Sequence, residues 1–192
     1  MEYSNILNNV AKHVSLTKGE IDFFTSLLAN KQVPRNSCIV AEGQPCRFIN
    51  YVDEGTFRAY SFDRNGNERT IMFAINDWWI TDIHGFLREK PAMMNVQALE
   101  DSSVFQLQKA DLDKLYDKVP KFERFFRILM QNAYIREQLR IRESLTDQAE
   151  ERYKQFIAKY PQFIQRIPLN QVASYLGVTP QFLSVIRRRL KK

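Results

Sequence analysis

The segment from Ile167 to Leu190, IPLNQVASYLGVTPQFLSVIRRRL, constrains the fold more tightly than any other part of this 192-residue chain. Ala173 is a small residue inside an apolar helical pattern, and Gly177 follows four positions later, where a helix end calls for positive φ. Val172, Leu176, Val178, Leu183 and Ile186 supply apolar faces in register. Thr179 is placed to cap a second helix, with Pro180 at its first position, where the missing N–H costs nothing. Two helices meeting over a small residue, with glycine in the turn, make a helix-turn-helix. The second helix exposes Gln181, Ser184 and Val185 near its start and Arg187, Arg188 and Arg189 after them. In a recognition helix the first side chains reach base edges and the basic ones neighbour phosphates. Gln181 suits adenine N6 and N7, and Ser184 is less discriminating. Arg187, Arg188, Lys191 and Lys192 read as phosphate contacts, with Arg187 set deeper. The expected DNA-contacting set is Thr179, Gln181, Ser184, Arg187 and Arg188. Only two residues follow Leu190, so no β-hairpin wing is expected.

Charge follows the same division. The net charge of +6 is a difference between two parts: residues 1–120 carry 13 basic and 16 acidic side chains, residues 121–192 carry 15 and six. A mildly acidic front joined to a strongly basic back assigns the back to a polyanion. No apolar stretch approaches the roughly 18 residues of a membrane span. The N-terminus has no basic start followed by an apolar run, so no secretion signal is expected. Two cysteines, Cys38 and Cys46, are too few for a disulfide scaffold, and a cytoplasmic location is expected.

The front half reads as short strands. A helix from about Thr17 to Leu28, with Thr17 and Glu20 as a capping box, precedes them. Candidate strands are 31–35, 37–41, 48–53, 56–62, 69–74 and 103–107, separated by turns at Gly43, Gly55 and Asn65-Gly66. Many short strands with regular turns imply an antiparallel sandwich or barrel. The fold class is therefore α+β: an antiparallel β-roll (jelly-roll-like) domain over residues 1–115, then helices.

Pro120 opens a long helical pattern, in which Phe122, Phe125, Phe126, Leu129 and Ala133 follow three- and four-residue spacing. Its first half is apolar enough to ask for a partner helix, the alternative being burial against the β domain. Residues 144–147 read as a break, with Thr146 capping a further helix that runs to Lys159 and stops before Pro161.

A β-roll, a long helix and a C-terminal helix-turn-helix in this order resemble the Crp/Fnr family of transcription regulators, in particular its short, wingless Bacteroidetes-type members. The resemblance covers nearly the whole chain. Its most specific part is ERYKQFIAKYPQFIQRIPLNQVASYLGVTPQFLSVIRR, and the front adds the Glu42-Gly43-Gln44 turn, the Gly55 turn, the Asp63…Gly66 hairpin and Asp77-Trp78-Trp79. It implies a sensor domain at 1–115, a dimerisation helix at 116–143 and a DNA-binding domain at 144–192. It further implies a homodimer on a near-palindromic operator, RNA polymerase as a further partner, and effector action through the break at 144–147.

The chain departs from the family in the phosphate-binding cassette. Cyclic-nucleotide binders carry a Gly-Glu pair, a short helix, and an Arg followed by Ser or Thr. Here Thr81-Asp82 takes the first place, and Ala92-Met93, or Met93-Met94 one residue on, takes the second. No arginine remains in either register. Losing a bidentate clamp on a buried phosphate costs roughly 2–5 kcal/mol. Arg88 and Lys90 precede the apolar segment and are expected to be exposed. The Thr-Ser pair of adenine-selective members is also absent, since no Ser or Thr lies between Pro120 and Arg142. Cyclic AMP is disfavoured; the effector is another, more apolar compound, or none, and the pocket set is Trp79, Thr81, Asp82, Ala92 and Met93.

Other chemistry fares worse. A cupin-like enzyme needs two or three converging histidines, and the chain has only His13 and His84. An iron–sulfur sensor needs about four cysteines. No cofactor, metal or catalytic residue is expected. The competing reading is a cyclic-nucleotide-binding signalling module without specific DNA binding.

Overall fold

The structure, a computed structural model, describes residues 3–190. The chain divides into two compact units, residues 1–59 with 73–132 and residues 60–72 with 133–192.

The first unit opens with helix α1 (Ser4–Ala11), which the sequence pattern did not announce, and α2 (Lys18–Ser26). The Thr17–Glu20 capping box forms in both directions, Thr17 N–H to Glu20 at 2.6 Å and Glu20 N–H to Thr17 at 3.4 Å. Eight strands follow: β1 (Leu28–Val33), β2 (Cys38–Val40), β3 (Phe48–Glu54), β4 (Thr56–Phe62), β5 (Glu68–Ile75), β6 (Trp79–Ile80), β7 (Asn95–Ala98) and β8 (Ser102–Gln108). They form two four-stranded sheets, ordered β1-β8-β3-β6 and β2-β7-β4-β5. The α+β class with an antiparallel roll is as expected. The first strand starts three residues earlier than its sequence pattern suggests, because pairing with β8 from Leu28–Leu107 to Val33–Ser102 fixes it.

Strand β3 is buried at four successive positions, Ile49 to Val52, so both its faces are covered. Helix α1 covers one of them. Asn9 donates to the Asp77 carboxylate at 2.8 Å and to its carbonyl at 3.0 Å, Tyr51 Oη donates to the same carboxylate at 3.0 Å, and Lys12 pairs with it. Trp79 Nε1 donates back to Asn9 at 3.0 Å. Asp77 is thus the point at which α1 is fastened to the sheet, and burial together with the adjacent Asp77 charge pushes the Tyr51 hydroxyl pKa upward.

Two further helices, α3 (Ile83–Arg88) and α4 (Lys109–Lys118), precede the long helix α5 (Lys121–Thr146). The expectation that the start of α5 seeks a partner helix is corrected. Phe122, Phe125 and Phe126 are buried in the unit's own aromatic cluster, with Phe24 at 4.6 Å from Phe122 and Trp79 at 5.3 Å from Phe126. The exposed apolar residues of α5 lie later, at Tyr134, Ile135, Leu139, Ile141 and Leu145.

The second unit contains the β4–β5 hairpin tip, the end of α5, and α6 (Ala149–Lys159), α7 (Phe163–Arg166), α8 (Leu169–Leu176) and α9 (Pro180–Arg189). Thr146 does not cap α6. It is the last residue of α5, its hydroxyl donates to Arg142 O at 3.0 Å, and the helix break falls at Asp147-Gln148. Thr146 and Gln155 instead donate to Asp147, holding its carboxyl below the usual carboxylate range.

The tight turn between β3 and β4 rests on Gly55, whose φ is +111°. A Cβ there would lie 2.0 Å from Ser102 Oγ and 2.9 Å from its Cα. Gly55→Ala is therefore expected to destabilise the protein by about 2–4 kcal/mol, read from the urea midpoint.

Candidate functional site

In the second unit α8 and α9 pack over Ala173 and Leu183, both fully buried, with Val172, Leu176 and Ile186 around them. Gly177 ends α8 at φ +70°, and Val178 N–H donates back to Ala173 O at 3.0 Å, closing the helix terminus. Arg152 adds a second tie, donating to Leu176 O at 2.9 Å and to Asp147 O at 2.7 Å. Thr179 Oγ1 accepts the Phe182 N–H at 3.2 Å, and Pro180 stands at the first helical position. The expected helix-turn-helix geometry is present in every one of these details.

Leu183 and Ile186 face inward, so Gln181, Ser184 and Arg188, at spacings of three and four, share the exposed face. Ser184 Oγ donates to Pro180 O at 2.9 Å, which leaves its oxygen free to accept. Arg187 is half-buried on the flank, whereas Arg188 is exposed. Lys191 and Lys192 lie outside the described residues. Phe182, missing from the set derived from sequence, is 48% exposed beside Gln181.

In the first unit the cassette is built around Asp82. This residue is 1% exposed and caps α3 through Oδ1, which accepts the Gly85 N–H at 3.0 Å. Its other oxygen accepts the N–H of Met93. The short α3 and the loop returning to β7 are therefore joined through one buried carboxylate. Ala92 is buried, with Ala92 N–H donating to Gln44 O and Gly43 N–H to Ala92 O, each at 2.8 Å. Thr81 Oγ1 donates to Phe48 O at 2.8 Å and sits 3.3 Å from Cys46 Sγ. Packing around Gly85 is tight, since a Cβ there would lie 3.0 Å from that of Cys46.

Of the expected pocket residues, Thr81, Asp82, Ala92 and the Met93 backbone come together. The Met93 side chain is 60% exposed, and Trp79 belongs to the separate cluster with Asn9, Tyr51, Phe125 and Phe126. Arg88 and Lys90 are exposed, as expected. Cys38 is exposed on its strand and Cys46 is buried, where desolvation raises its thiol pKa. His84 is exposed, and His13 packs 5.9 Å from Phe125. Among the described residues no group of three or more His, Cys, Asp or Glu could hold a metal ion, and no helix is long and apolar enough to cross a membrane.

Residues 30–119 match the family model for the cyclic nucleotide-binding domain. The chain is 26% identical over 196 residues to an anaerobic regulatory protein of Pasteurella multocida, covering 93% of this chain and 69% of that one. Its fold is similar to that of FixK2 from Bradyrhizobium japonicum, at a TM-score of 0.74, 16% identity and coverage of 85% and 84%. A Crp/Fnr family protein from Eubacterium rectale aligns at a TM-score of 0.72 and 14% identity, over 100% of this chain and 88% of that one. Along most of its length the chain is thus similar to regulators of the Crp/Fnr type. The loop of its cassette is held by the Asp82 carboxylate, with Ala92, Met93 and Met94 following.

Because both Asp82 oxygens are engaged, Asp82→Ala is expected to cost about 1–3 kcal/mol in the urea midpoint. Asp82→Asn keeps one acceptor and is expected to lose less.

Proposed function

We propose that this chain is a homodimeric, cytoplasmic DNA-binding regulator that reads a near-palindromic operator with α9. The sensor, dimerisation and DNA-binding roles fall to residues 1–115, 116–143 and 144–192. The observation that carries the reading is the exposed face of α9, where Gln181, Ser184 and Arg188 stand opposite the buried Leu183 and Ile186, at the start of a helix capped by Thr179. Gln181 reads a base edge, and Arg188 with Arg187 neutralises phosphates. Two such helices, one per protomer, enter successive major grooves about one helical turn apart.

Self-association uses the later turns of α5, where Tyr134, Ile135, Leu139, Ile141 and Leu145 are all exposed. Such a stripe is typical of a helix that pairs with its own copy. RNA polymerase is a further partner in this reading.

The effector of the β-roll is not cyclic AMP. Asp82 supports this twice over. Its carboxylate takes the Gly85 and Met93 amides, the donors best placed for an anion beside α3, and its charge repels a phosphate. No arginine stands at Ala92, Met93 or Met94 to offset that repulsion. The β-roll accepts a more apolar effector or acts without one.

Gel shifts on selected sequences test the recognition helix. Arg188→Ala is expected to weaken all sites and lower the salt slope by about one unit, whereas Gln181→Ala changes preference at one base position. Equal, sequence-blind losses for both sink the assignment. Ile135→Glu is expected to convert the dimer to a monomer by sedimentation velocity with an unchanged circular dichroism spectrum, and to weaken operator binding by about tenfold or more.

A further inference from the structure

Helix α9 carries two apolar side chains on and beside the face assigned to DNA. Val185 follows Gln181 by four residues and precedes Arg188 by three, so it adjoins both on the helix surface, and it is half-buried. Phe182 precedes Val185 by three and is exposed, so the two form one apolar patch next to Gln181. The inward stripe is already made by Leu183 and Ile186, both buried. Helix propensity does not account for the pair either, because β-branched and aromatic side chains lose rotamer freedom against the preceding turn.

What covers this patch follows from the charges around it. The helix, PQFLSVIRRR, has no acidic residue and ends on Arg187, Arg188 and Arg189. Such a surface complements a polyanion. In the major groove of duplex DNA, guanine shows N7 and O6, cytosine an amine, adenine N7 and an amine, and thymine O4 and a C5-methyl group. The methyl is the one apolar group among them. Hydrocarbon pressed on any other base edge strips water from a polar group and returns no hydrogen bond. A phosphate is a worse neighbour still, being charged.

We propose that Phe182 and Val185 read a thymine through its C5-methyl group, close to the base that Gln181 contacts. This thymine contact presupposes that α9 is the recognition helix. One turn of α-helix rises about 5.4 Å and successive bases of a strand lie about 3.4 Å apart, so the thymine falls within one or two base steps of the Gln181 base. Gln181 then supplies the polar half of the readout and the Phe182–Val185 pair the apolar half. Covering one methyl group is worth about fourfold in affinity, the equivalent of about 0.8 kcal/mol. In a homodimer the two half-sites multiply, to about fifteenfold.

Exchange of thymine for deoxyuridine removes the methyl group and nothing else. An operator is selected from random duplexes with the full chain, and each thymine is then exchanged in turn, in both half-sites together. One thymine, within two base steps of the position whose preference Gln181→Ala changes, is expected to matter, its exchange weakening binding about fifteenfold. Phe182→Ala, at an exposed position, and Val185→Thr, which keeps the side-chain shape, are each expected to shrink that preference to about fourfold or less, and together to abolish it. The salt slope and the circular dichroism spectrum stay unchanged in both, in contrast to the slope of Arg188→Ala. Equal affinity for every deoxyuridine operator, or a thymine preference undiminished in both variants, overturns the proposal. So does a Phe182→Ala chain whose sedimentation changes without DNA while its thymine preference is intact, which would assign the patch to a protein contact. A parent chain that selects no operator overturns the DNA-binding reading and this contact with it, whereas an operator indifferent to the methyl group overturns this contact alone.

Discussion

Burial of Phe122, Phe125 and Phe126 is the interaction on which the rest of the molecule depends. Each ring removed from water contributes about 1.5–3 kcal/mol, and the three lie in one cluster with Phe24, Trp79 and Tyr116. They hold the first turns of α5 within the β-roll unit and so set which turns remain open. The apolar residues left exposed, from Tyr134 to Leu145, belong to the second half of the same 26-residue helix. One continuous helix thus has two different halves, its aromatic start being core and its later apolar residues exposed.

Charge is placed with similar economy. The cassette closes on the Asp82 carboxylate. The cations are concentrated in the second unit, as on the face of α9. Arg152 shows how one such residue also serves the fold, since it satisfies the terminal carbonyl of α8. The burial of Asp82 is tolerable because two main-chain amides solvate its oxygens.

Features set by neighbours in sequence were legible in advance. The Thr17–Glu20 box, the Gly177 helix end and the Thr179-Pro180 start each depend on a few adjacent residues, and each formed as its spacing implied. What went unread depends on distant partners. The polar-looking SNILNNVA becomes α1 because Asn9 and Lys12 find Asp77 far along the chain. Strands β6 and β7 are too short to show a period, and pairing with β3 and β2 makes them strands. Thr146 looked like a cap because it precedes a helical pattern, yet the preceding helix extends through it and turns its hydroxyl back onto Arg142.

The candidate site divides in the same way. The amino-acid sequence by itself determined the helix-turn-helix, the lack of an arginine at Ala92 to Met94 and the basic back half, because cap residues, side-chain identity and formal charge are local properties. Only the tertiary structure decided that the α5 phenylalanines are core, that Cys46 and not Cys38 is buried, and that the Asp82 carboxylate closes the cassette. Those outcomes depend on which surfaces meet, and segments separated by scores of residues meet only once the hydrophobic core has brought them together.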